Sequence, residues 1–499
     1  MCYFVRTSGV LMHISSLPSP YGIGTLGKAA RDFADFLAKS GQSSWQMLPI
    51  CPTGFGDSPY QSYSTFAGNP YFIDLDQLAA EGLLVPEEYQ NVDWESTPDR
   101  VNYGVLYKKR YPILRKAALR LLTRADASFD AFCKENSWWL DDYALFMTLK
   151  DAENGRPNWE WEAPIRNREE SALASAREKY AQQIAVWKAY QYLFFQQWTE
   201  LKAYVNGLGI QIIGDLPIYV SRDSVDVWST PSLFQLDENG DPVDVAGCPP
   251  DGFSAGGQLW GNPLYDWDYM AQDDYSWWMG RIEYLCKVYD VLRIDHFRAF
   301  DEYYAIPFGS ADARPGKWKA GPGKNFFRVL KEKLGTLPII AEDLGFVTDS
   351  VRELLQYSGC PGMKVLQFAF DSRDGGGSEY IPHNYPTHCV AYIGTHDNDT
   401  AAGWMTSAYP GDVDEAVQYF CLNKEEEFHW GLMRGLWSSV AELTVVQAQD
   451  LLGLGSESRM NTPSTMGTNW QWRSLPGVFD DQLAQKLYRS MIRYGRVKK

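Results

Sequence analysis

The sequence predicts an α/β protein, a (β/α)8 TIM barrel with large insertions after strands 2 and 3. Short apolar runs alternate with amphipathic stretches along most of the chain, the pattern of repeated βαβ units in a parallel sheet. Eight such runs can be counted, enough to close a barrel. Three of them end on a carboxylate, and the C-terminal rim of a parallel barrel is where its chemistry is carried.

The strand candidates are residues 9–14, 44–50, 210–216, 290–295, 337–342, 363–370, 389–395 and 443–448. Each is short and largely apolar, as expected of strands buried on both faces. Helical periodicity occupies 27–40, where Ala30, Phe33, Phe36 and Leu37 share one face ahead of Gly41, and also 181–207, 273–288, 324–334, 348–357 and 411–440. Two intervals are too long for simple connections. Residues 51–180, Trp-rich and helical around 128–150, read as a mostly helical insertion subdomain, and 217–272, rich in Pro, Gly and Asp, as a loop-rich one. Insertions at the C-terminal ends of barrel strands raise walls over the active site. The chain 1–499 is thus one decorated barrel, most loop-like at 309–323 and 371–377.

Composition narrows the partners. The net charge of -17, from 46 basic and 63 acidic residues, disfavours nucleic acid and anionic lipid, so neither a nucleic-acid nor a membrane partner is expected. The 19 Trp, 30 Tyr and 24 Phe suit a large core, and also suit sugar rings, whose C–H faces stack on aromatic rings. Eight cysteines without a CxxC pair read as reduced, mostly buried thiols. The first residues lack a basic region followed by a long apolar stretch, and no run of about 18 apolar residues occurs, so a cytoplasmic protein is expected.

The strand-end carboxylates are Asp295 after Val291-Leu292-Arg293-Ile294, Glu342 after Leu337-Pro338-Ile339-Ile340-Ala341, and Asp397 after Val390-Ala391-Tyr392-Ile393-Gly394-Thr395-His396. Cleaving an acetal with retention requires an attacking carboxylate and a protonated carboxyl about 5 Å apart. Arg293, two residues before Asp295 on the same strand face, favours an ionised Asp295. Burial and the adjoining Asp343 favour a protonated Glu342. Asp397, between His396 and Asn398, suits the hydroxyls of a distorted sugar ring. Alternatives stand beside this reading. A barrel-end carboxylate also caps helices or pairs with arginine. His296 and His396, each beside an acid, also suit a hydrolytic metal centre, although no HxH or HExxH spacing accompanies them and no metal is expected.

Three segments narrow the choice: Arg293-Ile294-Asp295-His296-Phe297-Arg298, Ala341-Glu342-Asp343-Leu344-Gly345 and Gly394-Thr395-His396-Asp397-Asn398-Asp399. They resemble the catalytic motifs of 4-α-glucanotransferases of the amylomaltase (disproportionating enzyme) type, glycoside hydrolase family 77 of the α-amylase clan. Asp57-Ser58-Pro59-Tyr60-Gln61-Ser62, Gly214-Asp215-Leu216-Pro217, Gly256-Gly257-Gln258-Leu259-Trp260-Gly261-Asn262-Pro263 and Arg459-Met460-Asn461-Thr462-Pro463 with Asn469-Trp470 are similar to that family too, so the likeness spans nearly the whole chain.

The resemblance implies Asp295 as nucleophile, Glu342 as general acid/base and Asp397 as transition-state stabiliser. It implies that Arg293, His296, His396 and Asp215 contact the sugar at the cleavage point. Tyr60, Ser58, Trp260, Phe368 and Asn461 would line the acceptor side or neighbouring subsites, and Tyr103, within Asn102-Tyr103-Gly104, would belong to a secondary glucan site. The implied activity is transfer of α-1,4-glucan segments between maltooligosaccharides, amylose or other α-1,4-glucans, with no cofactor, by a monomer or homodimer. Transfer requires the acceptor to outcompete water, and 252–263 around Trp260 and 453–470 around Asn461 are the candidate covers. A hydrolase of the same clan, a non-catalytic glucan-binding barrel and a metal-dependent sugar isomerase are the competing classes.

Overall fold

The computed structural model describes residues 6–250, 254–372 and 377–497. Residues 373–376 of the expected loop, 252 and 253 of one candidate cover, and Cys2 with the rest of the first five residues lie outside the described residues.

All eight expected strands form, as one parallel sheet: β1 (Thr7–Leu11), β2 (Ser44–Gln46), β3 (Gln211–Pro217), β4 (Val291–Asp295), β5 (Ile339–Ala341), β6 (Gly362–Val365), β7 (Cys389–Tyr392) and β8 (Leu443–Gln447). The spatial order is β6-β7-β8-β1-β2-β3-β4-β5, so every neighbour is sequential and β8 pairs with β1. The ring closes between β5 and β6 by a looser seam. There Ala341 N–H donates to the Pro361 carbonyl at 3.0 Å, and Met363 N–H donates to the Asp343 carboxylate at 2.6 Å. A side chain replaces part of the missing ladder. Asp343 therefore turns to β6, and its negative charge is directed away from Glu342.

Several strands end earlier than expected because the chain leaves the ladder to build the rim. The apolar run 363–370 is strand only to Val365 and then turns through a 3₁₀ segment, Leu366–Phe370. The helix expected over 273–288 begins at Ser276, whose N–H is capped by Asp273 at 3.1 Å, after two left-handed residues, Asp274 and Tyr275. The single helix expected over 411–440 is two, Pro410–Phe420 and Phe428–Ser438. Cys421 and Glu427 take positive φ between them. Gly435 lets the second helix lie against Phe420, since a Cβ there would come 2.2 Å from that ring.

The first insertion is helical, as expected, with Tyr103–Leu122, Ala127–Glu135, Ser137–Ala152 and Glu170–Lys179 as its longest helices. Its connection to the barrel is polar. On the helix Ala181–Gly207, buried Gln191 exchanges hydrogen bonds with both backbone groups of Gly68, and Gln197 does the same with Asp74. The second insertion is more ordered than expected. Gln258–Pro263 and Asp244–Cys248 are strands, continued by Glu302–Pro307 and Lys317–Ala320 into a four-stranded antiparallel sheet. Its partner strands lie beyond β4, and part of the expected loop 309–323 is one of them. Of the described cysteines, all are free thiols, but only Cys389 is buried and Cys421 is exposed, so mostly buried thiols is corrected to mostly half-buried ones. Among the described residues, no helix is long and apolar enough to cross a membrane.

Candidate active site

Strand register brings the rim residues together. Asp215 of β3 pairs with Arg293 of β4, and Ile294 of β4 pairs with Ala341 of β5, so Glu342 comes level with Asp295. Arg293 and Asp295, two residues apart, share the inner face.

Arg293 is the hub. Its Nη1 donates to both oxygens of Asp215 at 2.7 Å and to Asp295 Oδ1 at 3.3 Å, while Nη2 lies 3.1 Å from Glu342 Oε2. Asp215 and Arg293 are buried, and the Tyr60 hydroxyl donates to Asp215 Oδ2 at 2.7 Å. His296 follows Asp295 in the left-handed region at φ 58°, which costs about 1–3 kcal/mol for a non-glycine residue. That backbone turn aims its N–H at Glu342 Oε2, 2.6 Å away. Arg293 is thus not the private counter-ion of Asp295, as its sequence position suggests, because its shortest contacts go to Asp215 and Glu342.

Asp295 and Glu342 end neighbouring strands, and one guanidinium holds both, with Asp295 Oδ1 at 3.3 Å and Glu342 Oε2 at 3.1 Å from Arg293. Burial raises Asp295 well above the usual carboxylate range, the Glu342 charge adds to this, and Arg293 opposes it. Burial also raises Glu342, against Arg293 and the His296 N–H. The like charges near Glu342 come from across the rim, including Asp397, and not from Asp343. Glu342 Oε2 thus meets two donors, Arg293 Nη2 and the His296 N–H.

Asp397 is held differently. Asn461 Nδ2 donates to its Oδ1 at 2.6 Å, and His396 Nε2 lies 3.3 Å from the same oxygen. Arg459 donates to the Asp397 carbonyl, and Asn461 N–H donates to the His396 carbonyl at 3.1 Å. Buried Asp399 anchors the turn by accepting from Thr400 N–H and the Ser407 and Ser456 hydroxyls.

A cleft of about 1090 Å³ opens over these groups, lined by Ser58, Tyr60, Trp260, Asp295, His296, Glu342, Phe368, His396, Asp397 and Asn461. Tyr60 stacks on His396 (5.2 Å, 14° between planes), Trp470 flanks both, and Trp260 meets His296 edge-on at 4.9 Å. Asp215 and Arg293 are buried and do not line this cleft. Tyr103 does not join them. It is buried, its hydroxyl donating to the Trp470 carbonyl at 3.0 Å, so in this arrangement it packs the first insertion against the rim. Among the described residues, no three His, Cys, Asp or Glu side chains are grouped to hold a metal ion, and His296 and His396 are engaged as above.

Residue-by-residue reading overlooked Gln61, Asn262, Arg459, Trp470 and Asp399. Gln61 Nε2 donates to the Trp260 carbonyl at 3.2 Å and to Asn262 Oδ1 at 3.0 Å, tying the loop after β2 to the second insertion. All five fall inside the motifs quoted above, which was the available signal.

A parallel barrel whose rim joins two carboxylates on one buried arginine and a third carboxylate in one long aromatic cleft defines the glycoside-processing class of (β/α)8 enzymes. Within that class the chain belongs to the 4-alpha-glucanotransferase family, whose family model matches residues 12–476. A 4-alpha-glucanotransferase of Clostridium butyricum is 48% identical over 97% of this chain and 100% of its own, and one of Thermus thermophilus is 47% identical over 97% of each. The solved amylomaltase from Streptococcus agalactiae in complex with acarbose is 44% identical, with TM-score 0.96 over 99% of this chain and 100% of that one.

Proposed function

We propose that this enzyme is a retaining 4-α-glucanotransferase that disproportionates α-1,4-glucans through a covalent glycosyl-enzyme on Asp295. The observation that supports the retaining reading is that Asp295 and Glu342, at the ends of neighbouring strands, both lie on the one Arg293 guanidinium, at 3.3 and 3.1 Å. An inverting pair stands about 6.5–9.5 Å apart to admit a water between carboxyl and sugar, whereas a retaining pair stands closer.

Asp295 attacks the anomeric carbon as the glycosidic bond breaks, and the proton passes from Glu342 to the leaving oxygen. Glu342 then takes a proton from the acceptor hydroxyl, which attacks the same carbon and frees Asp295. His396, Asn461 and Asp397 hold the hydroxyls of the ring at the cleavage point, Asp215 and Arg293 support the pair from behind, and Ser58, Tyr60, Trp260 and Phe368 line the subsites. Maltooligosaccharides and longer α-1,4-glucans are the proposed donors and acceptors, and the cytoplasm the proposed location. With maltotriose, glucose and longer maltooligosaccharides should form with no net gain of reducing ends. A stoichiometric gain would assign hydrolysis instead.

A further inference from the structure

A second, small hollow of about 10 Å³ shares His396 with the cleft and has room for about one water molecule. Its walls join Leu11, Met12, Leu48, Met460 and Trp472 to five buried polar side chains, of which Gln449 donates to the Ser458 carbonyl at 3.0 Å, leaving four. In each, one atom has no hydrogen-bond partner among the described residues: His13 Nδ1, Ser16 Oγ, His396 Nδ1 and Gln447 Nε2. An unpaired buried polar atom costs about 1–3 kcal/mol, so four converging on one water-sized hollow call for a common partner.

We propose that this hollow is a binding site for a single structural water, and that His13, Ser16 and Gln447 act through it as positioning residues that fix the tautomer of His396. The donor and acceptor count closes on one water. It accepts from Gln447 Nε2–H and from the Ser16 hydroxyl, and donates one proton to His396 Nδ1 and the other to His13 Nδ1. His396 then carries its proton on Nε2, the nitrogen 3.3 Å from Asp397 Oδ1. A neutral imidazole presents a donor at one nitrogen only, and the bond made by the other nitrogen decides which. The reverse tautomer would set an Nε2 lone pair against the Asp397 carboxylate. Both histidines are kept neutral by burial, His13 down to about 3 and His396 below its ordinary value. Neutrality is required, because two imidazolium rings on one hollow would leave the water nothing to donate to. His13 is fixed by an edge-on contact with Phe72, ring centres 5.3 Å apart, and sits just past the end of β1.

The catalytic part of this inference rests on the transferase reading, whereas the water and the tautomer do not. Both are measured in the whole protein without sugar. A high-resolution crystal structure should show solvent density within hydrogen-bond distance of His13 Nδ1 and His396 Nδ1, and a dry hollow would overturn the proposal. With ¹⁵N-labelled histidine and His396 assigned by its loss in His396→Asn, His396 should appear as the neutral Nε2–H form. An Nδ1–H form would overturn the proposal whatever the activity proves to be. Gln447→Leu removes one donor at nearly constant volume. It should mix the His396 tautomers and lower kcat about tenfold with little change in KM, as loss of a partner behind a functional histidine does. An unaltered His396 spectrum with unaltered kcat would show that Gln447 has no such role.

Discussion

The two halves of the rim hold their carboxylates by different means. On the β3–β4–β5 side, Asp215, Asp295 and Glu342 surround one buried guanidinium and are brought level by strand register, with no loop required. On the β7 side, Asp397 stands beyond its strand, and what holds it is neutral or shared: the amide of Asn461, the ring of His396, and Arg459 on its backbone. Register makes the first half rigid at the cost of burying charge. The second half is assembled from segments more than 60 residues apart in sequence, and its side-chain partners are individually replaceable. Damage to the first should therefore appear in both fold and chemistry, and damage to the second mainly in chemistry.

The largest effects test the division of labour inside the charged half. Asp295→Asn should lower transfer on the order of ten-thousand-fold or more, as expected for a lost nucleophile. Glu342→Gln should lose transfer from maltotriose yet still form a glycosyl-enzyme with α-glucosyl fluoride, whose leaving group needs no proton. Mass spectrometry of the trapped protein checks both, and labelling of the Asn variant but not the Gln variant would exchange their roles. Because burial holds both carboxyls above their ordinary range, the acid form of Glu342 in the wild type is lost only as pH rises past the ordinary glutamate value near 4.5. The alkaline limb of kcat/KM should accordingly sit well above that value and vanish in Glu342→Gln with the fluoride donor.

Next in size is the arginine that joins fold to chemistry. Arg293→Met leaves buried Asp215 without its cation and should cost about 3–5 kcal/mol of stability, along with nearly all activity. Urea unfolding of the two proteins measures it, and a loss below about 1 kcal/mol would mean the network is not a structural hub. Asn461→Ala, on the other half, removes one hydrogen bond to a charged group, worth about 1.5–3 kcal/mol, so transfer should fall roughly tenfold to a hundredfold. The urea midpoint should stay near wild type, and equal losses of stability in Asn461→Ala and Arg293→Met would erase the contrast. The smallest effect concerns the acceptor wall. Trp260, half-buried and edge-on to His296, offers an apolar contact worth on the order of 1 kcal/mol, so Trp260→Ala should raise the hydrolysis-to-transfer ratio several-fold. Glucose release and transfer product measured together check this, and an unchanged ratio with a lowered melting temperature would reduce Trp260 to packing.

Much of this was legible in the chain. Eight short apolar runs alternating with helical periodicity pointed to the barrel and to the order of its strands, although the run 363–370 is strand only to Val365. The three carboxylates were visible as the residues ending three of those runs, and their local motifs also contain Gln61, Asn262, Arg459, Trp470 and Asp399. Local pattern suffices there because a parallel barrel takes its strands in sequence and puts every strand end at one rim. Three matters needed the folded chain. The second insertion reads as loop because its partner strands, Glu302–Pro307 and Lys317–Ala320, lie beyond β4, and pairing over that distance leaves no periodic signal in the segment itself. Asp343 adjoins Glu342 in sequence yet serves the β5–β6 seam, since successive strand residues face opposite sides. Arg293 stands two residues from Asp295 but gives its shortest bonds to Asp215 and Glu342 on neighbouring strands. Sequence determined which residues reach the rim, because that depends on where each strand ends. Tertiary structure decided which of them share a cation or a buried hollow, because those energies depend on distances across strands and on how much water the surrounding walls exclude.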